Sequence, residues 1–285
     1  MHTTLPRLLA VATAFLLPLS LAACGDDSDE ATPTTTTVTA AAGGEDLSAM
    51  MAGVELISDG RLTVCSDIPY EPFEFEDETG QVTGFDYDVV AAMSDELGLA
   101  APQFKTTPFD TIIQALLAGD CDLIASAMTI TEERAEQVAF TEPYFDADQS
   151  LLVRVEDEDT YATLDDLAGR TIGVQSGTTG ADYAAENTPE GATIREYQGA
   201  PDLFAALAAG DIDAILQDFP VNAYRATQQP DRFVVTETFP TGEQYGMAMT
   251  KQATALKTAL DAALAQLKET GEYNDIYTAW FGTAP

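Results

Sequence analysis

Residues 120–145 read DCDLIASAMTITEERAEQVAFTEPYF, and this stretch decides how the rest of the chain is interpreted. The apolar run 122–126 follows a Gly-Asp pair and predicts a short buried strand of a parallel sheet. Thr129 and Glu132 have the spacing of a capping box, so we expect a helix to begin beside the carboxyl end of that strand. Ligands bind at such places because free backbone N–H groups and the positive end of a helix meet there.

Arg134 lies in the first turn of the predicted helix, where the helix dipole disfavours a cation by up to about 1 kcal/mol. A nearby anion would offset this cost. One interpretation is a ligand carboxylate held by the guanidinium, with Ser126 and Thr129 adding hydrogen bonds. The alternative is a surface pairing of Arg134 with Glu132 or Glu133, which would contribute little to stability or function. These residues by themselves leave both interpretations open.

The composition excludes several classes of function. The 285 residues include 48 acidic and 12 basic side chains, for a formal net charge of −36, and a surface this acidic repels nucleic acid. The only histidine is His2, in a segment that we expect to be removed on export. The mature chain would then have no histidine to act as a general base or a metal ligand, and we expect no metal and no cofactor.

The first 59 residues have the pattern of an exported and tethered protein. Residues 1–23 combine Arg7 with an apolar run of about 15 residues, which is typical of a signal peptide and too short for a membrane-spanning helix. Residues 24–59 are rich in acids and threonine and predict a flexible tether, with a short helix between residues 47 and 57. We expect folded structure to begin at Arg61.

Beyond Arg61, short apolar runs alternate with helical segments, which is the pattern of a doubly wound α/β fold. The first strand is predicted at residues 62–65. Asp86 is predicted to cap a helix over residues 87–97.

An internal repeat indicates two such lobes. ALLAGDCDLI at residues 115–124 returns as ALAAGDIDAI at residues 206–215, so the same helix, glycine and strand occur twice. The first copy leads to Arg134 and the second to Asp218, and facing lobes would bring a cation opposite an anion. The alternative is that a helix followed by Gly-Asp and a strand is a common pattern and that the repeat is a coincidence.

Seven ordered motifs between Arg61 and Gly282 resemble those of the bacterial extracellular solute-binding proteins of family 3, the polar amino-acid receptors of ABC importers. They are SDIPYEPFEFED, GFDYDVVAAM, FDTIIQALLAGDCDLIASAMTITEERAEQVAFTEPYF, LDDLAGRTIGVQSGTTG, GDIDAILQDFP, YGMAM and GEYNDIYTAWFG. The resemblance implies an α/β, two-lobed type II periplasmic-binding-protein-like fold. Each lobe would hold a doubly wound, mostly parallel sheet, with two hinge crossings. Lobe I would comprise residues 60–152 and 246–285, and lobe II residues 153–245.

The same resemblance implies how the charged ends of an amino acid would be held. The α-carboxylate would bind Arg134, Thr129 and Thr179. The α-ammonium would bind Asp218 and the backbone carbonyls of residues 126–127.

The resemblance also assigns the ligand side chain. Tyr70 and Phe109 would enclose it, and Asp67, Gln175 and Gln217 would face its far end. The expected ligand-binding residues are Asp67, Tyr70, Phe109, Ser126, Ala127, Thr129, Arg134, Gln175, Thr179, Gln217 and Asp218.

The function that follows is capture of a polar L-amino acid by lobe closure and its presentation to an ABC permease, without enzymatic chemistry. Asp67 favours a basic or amide-tipped ligand over an acidic one, because it would repel a second carboxylate. The sequence LAAC resembles a lipobox, so Cys24 would carry a lipid that anchors an otherwise soluble monomer to the outer face of the bacterial cytoplasmic membrane. The alternative function is a periplasmic dehydratase of prephenate-like acids, which shares this fold; Asp67 or Glu71 could then serve as the acid.

Cys65 and Cys121 remain in the exported chain, and an even number of cysteines in an oxidising compartment favours a disulfide. If Asp67 and Ser126 both stand at the level of the ligand, however, Cys121 lies several residues below Cys65. That spacing exceeds the Cα–Cα limit of roughly 7 Å for a disulfide. The pairing stays open at this point.

Overall fold

The computed structural model describes residues 46–285. The predicted signal peptide over residues 1–23, the lipidation site at Cys24 and most of the expected tether lie outside the described residues. Within residues 46–285, no helix is both long enough and apolar enough to cross a membrane.

Packing begins before the predicted start at Arg61. Leu47 is buried in the core of lobe I, and a short 3-10 helix covers Ser48–Met51. The Ile57 N–H donates to Asp122 Oδ1 at 2.9 Å, which ties this segment to the lobe. The last part of the segment that we expected to be a tether is therefore part of lobe I.

The first part of lobe I consists of short strands that alternate with helices. Its elements are β1 (Arg61–Ser66), β2 (Phe75–Glu76), β3 (Val82–Thr83), α1 (Phe85–Glu96), β4 (Ala100–Thr106), α2 (Ile112–Leu117), β5 (Leu123–Ile124), α3 (Glu132–Gln137) and β6 (Ala139–Phe140). Helix α1 begins earlier than predicted, with Gly84 at its N-cap and Asp86 buried in its first turn. Helix α3 begins later than predicted, because Thr131 and not Thr129 caps it by accepting the Arg134 N–H at 3.2 Å.

Lobe II has the same alternation. Its elements are β7 (Phe145–Arg154), β8 (Thr171–Gln175), α4 (Thr179–Asn187), β9 (Thr193–Tyr197), α5 (Ala200–Ala209), β10 (Ala214–Asp218), α6 (Phe219–Gln228) and β11 (Phe233–Tyr245). The sheet order is β11-β7-β10-β8-β9. Strands β8, β9 and β10 pair in parallel, whereas β7 pairs antiparallel with both β10 and β11. The sheet is therefore mixed, because β7 runs opposite to its neighbours.

The chain then returns to lobe I through β12 (Ala248–Met249), α7 (Thr254–Thr270) and α8 (Glu272–Phe281). Strand β12 lies between β5 and β6, antiparallel to both, in the order β4-β1-β5-β12-β6. When the two sheets are read from β4 and from β9, the order of strand directions is the same. The repeated units found in the sequence are α2 with β5 and α5 with β10, and β5 and β10 hold the same third place in their sheets. The repeat thus reflects a shared lobe architecture.

Two long strands carry the chain between the lobes. Strands β7 and β11 pair from Phe145 opposite Tyr245 to Arg154 opposite Phe233. Residues 149–153 of β7 also pair with β10 in the lobe II sheet. The first crossing therefore precedes the predicted boundary at residue 153, because β7 joins the lobe II sheet four residues earlier.

The aromatic core of lobe I extends onto the crossing strands. Phe73 and Phe85 are completely buried, and their ring centroids lie 5.1 Å and 5.5 Å from that of Phe145 in edge-to-face contacts. Tyr245 stacks on Phe145 at 5.5 Å. Both crossing strands are thus anchored in lobe I at the point where they leave it.

Cys65 and Cys121 form a disulfide, with their Cα atoms 5.7 Å apart. The predicted separation of Cys121 from Cys65 is wrong because Cys121 is not part of an extended strand. Strand β5 contains only Leu123–Ile124, and Cys121 lies before it in the turn that follows α2. The spacing of an extended strand does not apply in that turn.

Replacing both cysteines with alanine is expected to lower the free energy of unfolding by about 4 kcal/mol. The bond joins residues 56 positions apart, and in the chain-entropy account a loop of this size strongly restricts the unfolded chain. Urea unfolding of the Cys65→Ala/Cys121→Ala variant beside the wild type measures the difference. An unchanged midpoint at an unchanged slope would contradict the prediction.

Candidate functional site

A small cavity lies where the strand ends of the two lobes meet. Its volume is about 20 Å³, which is room for about one water molecule. Ten of the eleven predicted ligand-binding residues line it, together with Thr178. The lining residues are Asp67, Tyr70, Phe109, Ser126, Ala127, Thr129, Arg134, Gln175, Thr178, Thr179 and Asp218. A solute the size of an amino acid can occupy this cavity only if the lobes or the lining side chains move apart.

Arg134 reaches into the cavity from α3 and contacts both lobes. Its Nη1 donates to the carbonyl of Thr129 at 2.7 Å, and its Nη2 donates to the carbonyl of Gly177 in lobe II at 3.0 Å. The guanidinium also lies 5.3 Å from the ring centroid of Phe109. Among the described residues, no carboxylate lies within 4.0 Å of the guanidinium, so the alternative surface pairing does not form. The two Nη groups point toward the cleft, where a carboxylate could replace the carbonyls.

Glu243 is a site residue that the sequence did not reveal. It lies on β11, and its Oε2 accepts hydrogen bonds from the hydroxyls of Thr129 at 2.8 Å and Thr179 at 2.7 Å. Gln149 on β7 donates to its Oε1 at 3.2 Å. The carboxylate of Glu243 therefore joins one threonine from each lobe. Glu243 itself lies on one crossing strand, and Gln149, which donates to it, lies on the other.

Asp218 stands at the carboxyl end of β10 and is almost completely buried. It accepts hydrogen bonds from Tyr70 at 2.9 Å, from Tyr245 at 2.5 Å and from Gln149 at 2.6 Å. Burial raises the pKa of Asp218 to about 6, and the charge of Glu243 adds to the rise, while the three hydrogen bonds oppose it. Asp218 is thus mostly ionised at pH 7, in an environment where a cation would strongly favour the ionised form.

Asp67 follows β1 and supplies a second anion to the cavity. Gln175 of lobe II donates to Asp67 Oδ2 at 2.5 Å. The backbone N–H of Asp67 donates to Ser126 Oγ at 2.9 Å. Burial raises the pKa of Asp67 to about 6, although the hydrogen bond from Gln175 opposes the rise. Asp67 and Gln175 therefore meet across the cleft, as residues that face one end of a ligand would.

Gln217 does not line the cavity, contrary to the prediction. Successive side chains of a strand point to opposite faces, so Gln217 and Asp218 cannot both face the cleft. Gln217 Nε2 instead donates to Asn222 Oδ1 at 2.9 Å behind the strand.

Thr178 caps helix α4 by accepting the Ala181 N–H at 3.2 Å, which leaves Thr179 free to face the cleft.

Tyr245, Gln149 and Glu243 complete the site, and sequence reasoning missed all three. Glu243 and Tyr245 are two positions apart on β11 and share a face, while Gln149 pairs directly with Asp218 in the sheet. The alternation of side chains along β11 places Glu243 and Tyr245 on one face. This pattern identifies them as site residues only if the strand is already known to pass the cleft between the lobes.

The charges of the site are unequal. Among the described residues, Asp67 and Asp218 line the cavity and Glu243 accepts hydrogen bonds from two of the lining hydroxyls, whereas Arg134 is the one cationic side chain that lines it. A zwitterion placed between Arg134 and Asp218 would leave an excess of negative charge. The site therefore complements a solute with a net positive charge.

Two similar α/β lobes, joined by two crossing strands and enclosing a cleft with a cation on one face and an anion on the other, define a solute-binding protein. Residues 62–283 match the family described as bacterial extracellular solute-binding proteins, family 3, and the chain belongs to this family. The family and the two-lobed fold predicted from the sequence are thereby confirmed.

Three relatives illustrate the match. The arginine-binding periplasmic protein of Mannheimia haemolytica is 33% identical over 240 residues, which cover 83% of this chain and 98% of that protein. A solved ancestral arginine-binding protein bound to arginine is 35% identical, with a TM-score of 0.73, and the match covers 78% of this chain and 99% of that one. The ancestral amino-acid-binding protein AncCDT-1, a precursor of cyclohexadienyl dehydratase, is 36% identical with a TM-score of 0.74 over 83% of this chain and all of its own.

Proposed function

We propose that this protein binds a basic L-amino acid, with arginine as the first candidate, and delivers it to the permease of an ABC importer. The observation that carries the proposal is the position of Arg134 opposite Asp218 across the cleft between the lobes. The two charges match the α-carboxylate and the α-ammonium of an amino acid. Thr129 and Thr179 would add hydrogen bonds to the carboxylate, and the carbonyls of residues 126–127 would add acceptors for the ammonium.

The ligand side chain would run between Tyr70 and Phe109 toward Asp67 and Gln175. A guanidinium or ammonium group at that end would pair with Asp67 and would balance the excess of carboxyl groups in the site. Two of the relatives described above are named for arginine, which supports the same ligand class. Binding would require the lobes to part and then to close on the ligand about β7 and β11, which connect them.

The test is thermal unfolding of the purified protein with each L-amino acid in turn. A ligand at a hundredfold excess over its dissociation constant adds about 2.7 kcal/mol to the free energy of unfolding and raises the midpoint. We expect the largest shift with arginine, smaller shifts with other basic or amide-tipped amino acids, and none with glutamate or aspartate. A preference for the acidic amino acids would overturn the proposed ligand class, and a flat panel would overturn amino-acid binding.

Asp67→Asn is expected to weaken arginine binding by about 10- to 100-fold while changing glutamine binding by less than about threefold. The substitution removes a charge-assisted hydrogen bond, worth roughly 1.5–3 kcal/mol, that only a cationic side chain can make. Isothermal titration calorimetry with both ligands measures the ratio. Asp120→Asn is the matched control, since Asp120 is exposed and pairs only with Lys105 at 3.5 Å. Equal losses for arginine and glutamine would contradict the assigned role of Asp67.

A dehydratase activity is the second candidate, favoured by the likeness to AncCDT-1. The acid would be Asp67, which lines the cavity with its pKa raised by burial to about 6. Glu71, the other candidate, lies 3.6 Å from Arg225 in an ion pair and does not line the cavity. Loss of prephenate absorbance on incubation with the protein would support this function. We favour binding without catalysis, because an amino acid matches the paired charges and needs no further reactive group.

The proposal extends to the cellular location. A lipid on Cys24 would hold the protein at the outer face of the cytoplasmic membrane, with the acidic segment that follows acting as a tether for a monomer. The motif LAAC and the preceding apolar run support this location. The intact mass of the exported protein would reveal the lipid, and an unmodified Cys24 would contradict the anchor.

A further inference from the structure

Two buried carboxyl groups lie directly behind the wall of the binding cavity. Glu74 and Asp86 are both completely excluded from solvent, and neither lines the cavity. Each instead bonds to a residue that does. Burying a charge is costly unless it is paired. Two neighbouring carboxyl groups that are both excluded from water therefore need hydrogen-bond partners or a proton to be stable.

The local sequence forces these two groups together. Gly84 has a φ of +128°, and a Cβ atom there would lie 2.1 Å from the carbonyl oxygen of Phe73. The missing side chain lets the start of α1 dock against the loop before β2, where the Asp86 N–H donates to the Phe73 carbonyl at 2.9 Å. Asp86, in the first turn of α1, is thereby brought beside Glu74.

The pair holds the segment of residues 126–127 that forms one wall of the cavity. Ser126 Oγ donates to Glu74 Oε1 at 2.6 Å and accepts the N–H of Asp67 at 2.9 Å. The Ala127 N–H donates to Asp86 Oδ2 at 2.8 Å. Ala127 has a φ of +43°, a conformation that side-chain-bearing residues rarely adopt and that persists only where the surroundings impose it.

The arrangement accounts for all the carboxyl oxygens if the pair holds one proton. Glu74 Oε2 is buried and has no donor among residues 46–285. A proton on Glu74, donated to Asp86, would satisfy that oxygen and leave Asp86 as the acceptor for Ala127 and Tyr144. Burial, together with the charge of Asp86, raises the pKa of Glu74 well above 4.5, and burial raises the pKa of Asp86 to about 7, so the pair retains a proton more readily than separate exposed carboxyl groups would.

We propose that Glu74 and Asp86, joined by a single shared proton, are positioning residues that hold Ser126 and Ala127, and through Ser126 the backbone of Asp67, in the geometry that binds the ligand. The inference rests on the proposed function, since the carbonyls of residues 126–127 are acceptors for the α-ammonium. Loss of the shared proton would place two anions side by side and would release Ala127 from its strained conformation.

Several titratable groups face the pair and must be considered in any pH experiment. Asp67 and Asp218 act on Glu74 through their charges, and the Tyr144 hydroxyl donates to Asp86. The pKa values of Asp67 and Asp218 are raised to about 6, so both are ionised before the alkaline range is reached. The pKa of Tyr144 is raised well above 10, so this hydroxyl stays protonated there. Tyr70 and Tyr273 also face the pair, and their pKa values are raised by burial. The α-ammonium of arginine loses its proton in the alkaline range, so only a difference between the wild type and a variant without the Glu74 proton reports on the carboxyl pair.

The experiment compares the wild type with Glu74→Gln from pH 6 to pH 10. Glutamine keeps the shape of the side chain, accepts from Ser126 through its carbonyl and donates to Asp86 without a titratable proton. In the wild type, the dissociation constant for arginine should rise by up to tenfold per pH unit above the upper pKa of the pair, beyond any change in Glu74→Gln. At pH 7 the two proteins should bind arginine within about threefold of each other. Glu76→Gln is the control, because Glu76 is exposed two residues away and should follow the wild type.

A second readout needs no ligand. The Ala127 amide signal in ¹⁵N-resolved NMR should titrate with pH in the wild type and should not do so in Glu74→Gln. The free energy of unfolding should also depend on pH differently in the wild type and in Glu74→Gln. A carboxyl group whose pKa is raised on folding stabilises most below its unfolded value of about 4.5, and this contribution is lost as the pH rises through the folded value. The wild type should therefore lose stability relative to Glu74→Gln as the pH rises.

The outcomes separate the two proposals. If no amino acid shifts the unfolding midpoint, the proposed function fails, and the Ala127 titration still decides whether the pair holds the loop. If arginine binds but the alkaline profiles of the wild type and Glu74→Gln coincide, or the Ala127 signal titrates equally in both, the shared proton is overturned. Glu74→Ala should bind arginine at least tenfold more weakly, and unchanged affinity in that variant would overturn the positioning role.

Discussion

Arg134→Ala is expected to weaken arginine binding by roughly 10²- to 10³-fold and to leave the fold intact. Within residues 46–285, the guanidinium is the one cation that lines the cavity. Without it, the ligand carboxylate would be buried with only hydroxyl donors, at a cost of roughly 2–5 kcal/mol. Isothermal titration calorimetry measures the loss, and the thermal midpoint without ligand checks the fold.

The fold should tolerate this change because the Arg134 side chain hydrogen-bonds to the backbone carbonyls of Thr129 and Gly177 and contacts the ring of Phe109, and it forms no ion pair within residues 46–285. Arg170→Ala is the matched control, since Arg170 is exposed and contacts the ring of Tyr161 at 5.5 Å, away from the cleft. Arg134→Lys should recover only part of the affinity, because an ammonium cannot present two parallel N–H groups to a carboxylate. Unchanged binding in Arg134→Ala would remove the basis of the proposed function.

Asp218→Asn is expected to cause a loss of similar size, roughly 10²- to 10³-fold, because it removes the anion that would pair with the α-ammonium. The amide oxygen can still accept from the hydroxyls of Tyr70 and Tyr245, but the NH₂ group would face the Gln149 Nε2 donor. Gln149 must therefore turn its side-chain amide over and accept at Oε1, so the thermal midpoint should fall modestly. Asp165→Asn, an exposed acid of the same lobe, is the control. A variant that binds as tightly as the wild type would show that the α-ammonium is held elsewhere.

The same substitution has a signature in the pH dependence of binding. The pKa values of Asp218 and Asp67 are both raised by burial to about 6 in the protein without ligand, and a bound cation favours their ionised forms. Affinity for arginine should therefore fall as the pH is lowered from 7 to 5, by up to tenfold per pH unit for each carboxyl. In Asp218→Asn the decline should be shallower by the contribution of one proton. Parallel profiles would show that Asp218 does not titrate on binding.

Glu243 connects the two lobes at the wall of the cavity. Its carboxylate accepts from Thr129 and Thr179, the same hydroxyls that would donate to a ligand carboxylate. An incoming amino acid must therefore share or displace these hydrogen bonds. This arrangement depends on β11, which brings Glu243 to the cleft from the strand that connects the lobes.

Part of the site followed from local patterns, whereas Asp67, Tyr70, Phe109, Gln175 and Thr179 were expected only from the resemblance to the family. The apolar run that ends at Ser126 and the small polar residues after it indicate a strand end, and Arg134 follows at the start of a helix. The repeated unit before Asp218 indicates the second lobe. These patterns involve residues close together in the sequence, so they can be recognised without knowledge of the tertiary structure. The details that failed, such as Thr129 as the cap of α3 and Asp86 as the cap of α1, concern the ends of elements, where one residue competes with its neighbours for the same backbone N–H groups.

The sequence by itself indicated the alternation of strands and helices, the repeated unit that suggests two lobes, and the residues Arg134 and Asp218 that follow the two copies, because periodicity, caps and repeats depend on neighbouring residues. Only the tertiary structure decided that Gln217 turns away from the cleft, that Glu243 and Tyr245 turn toward it, that Cys65 reaches Cys121, and that Glu74 meets Asp86. Each of these depends on strand register or on the approach of segments distant in the chain. Such contacts are selected by the packing of the whole lobe, and no local pattern of residues specifies them.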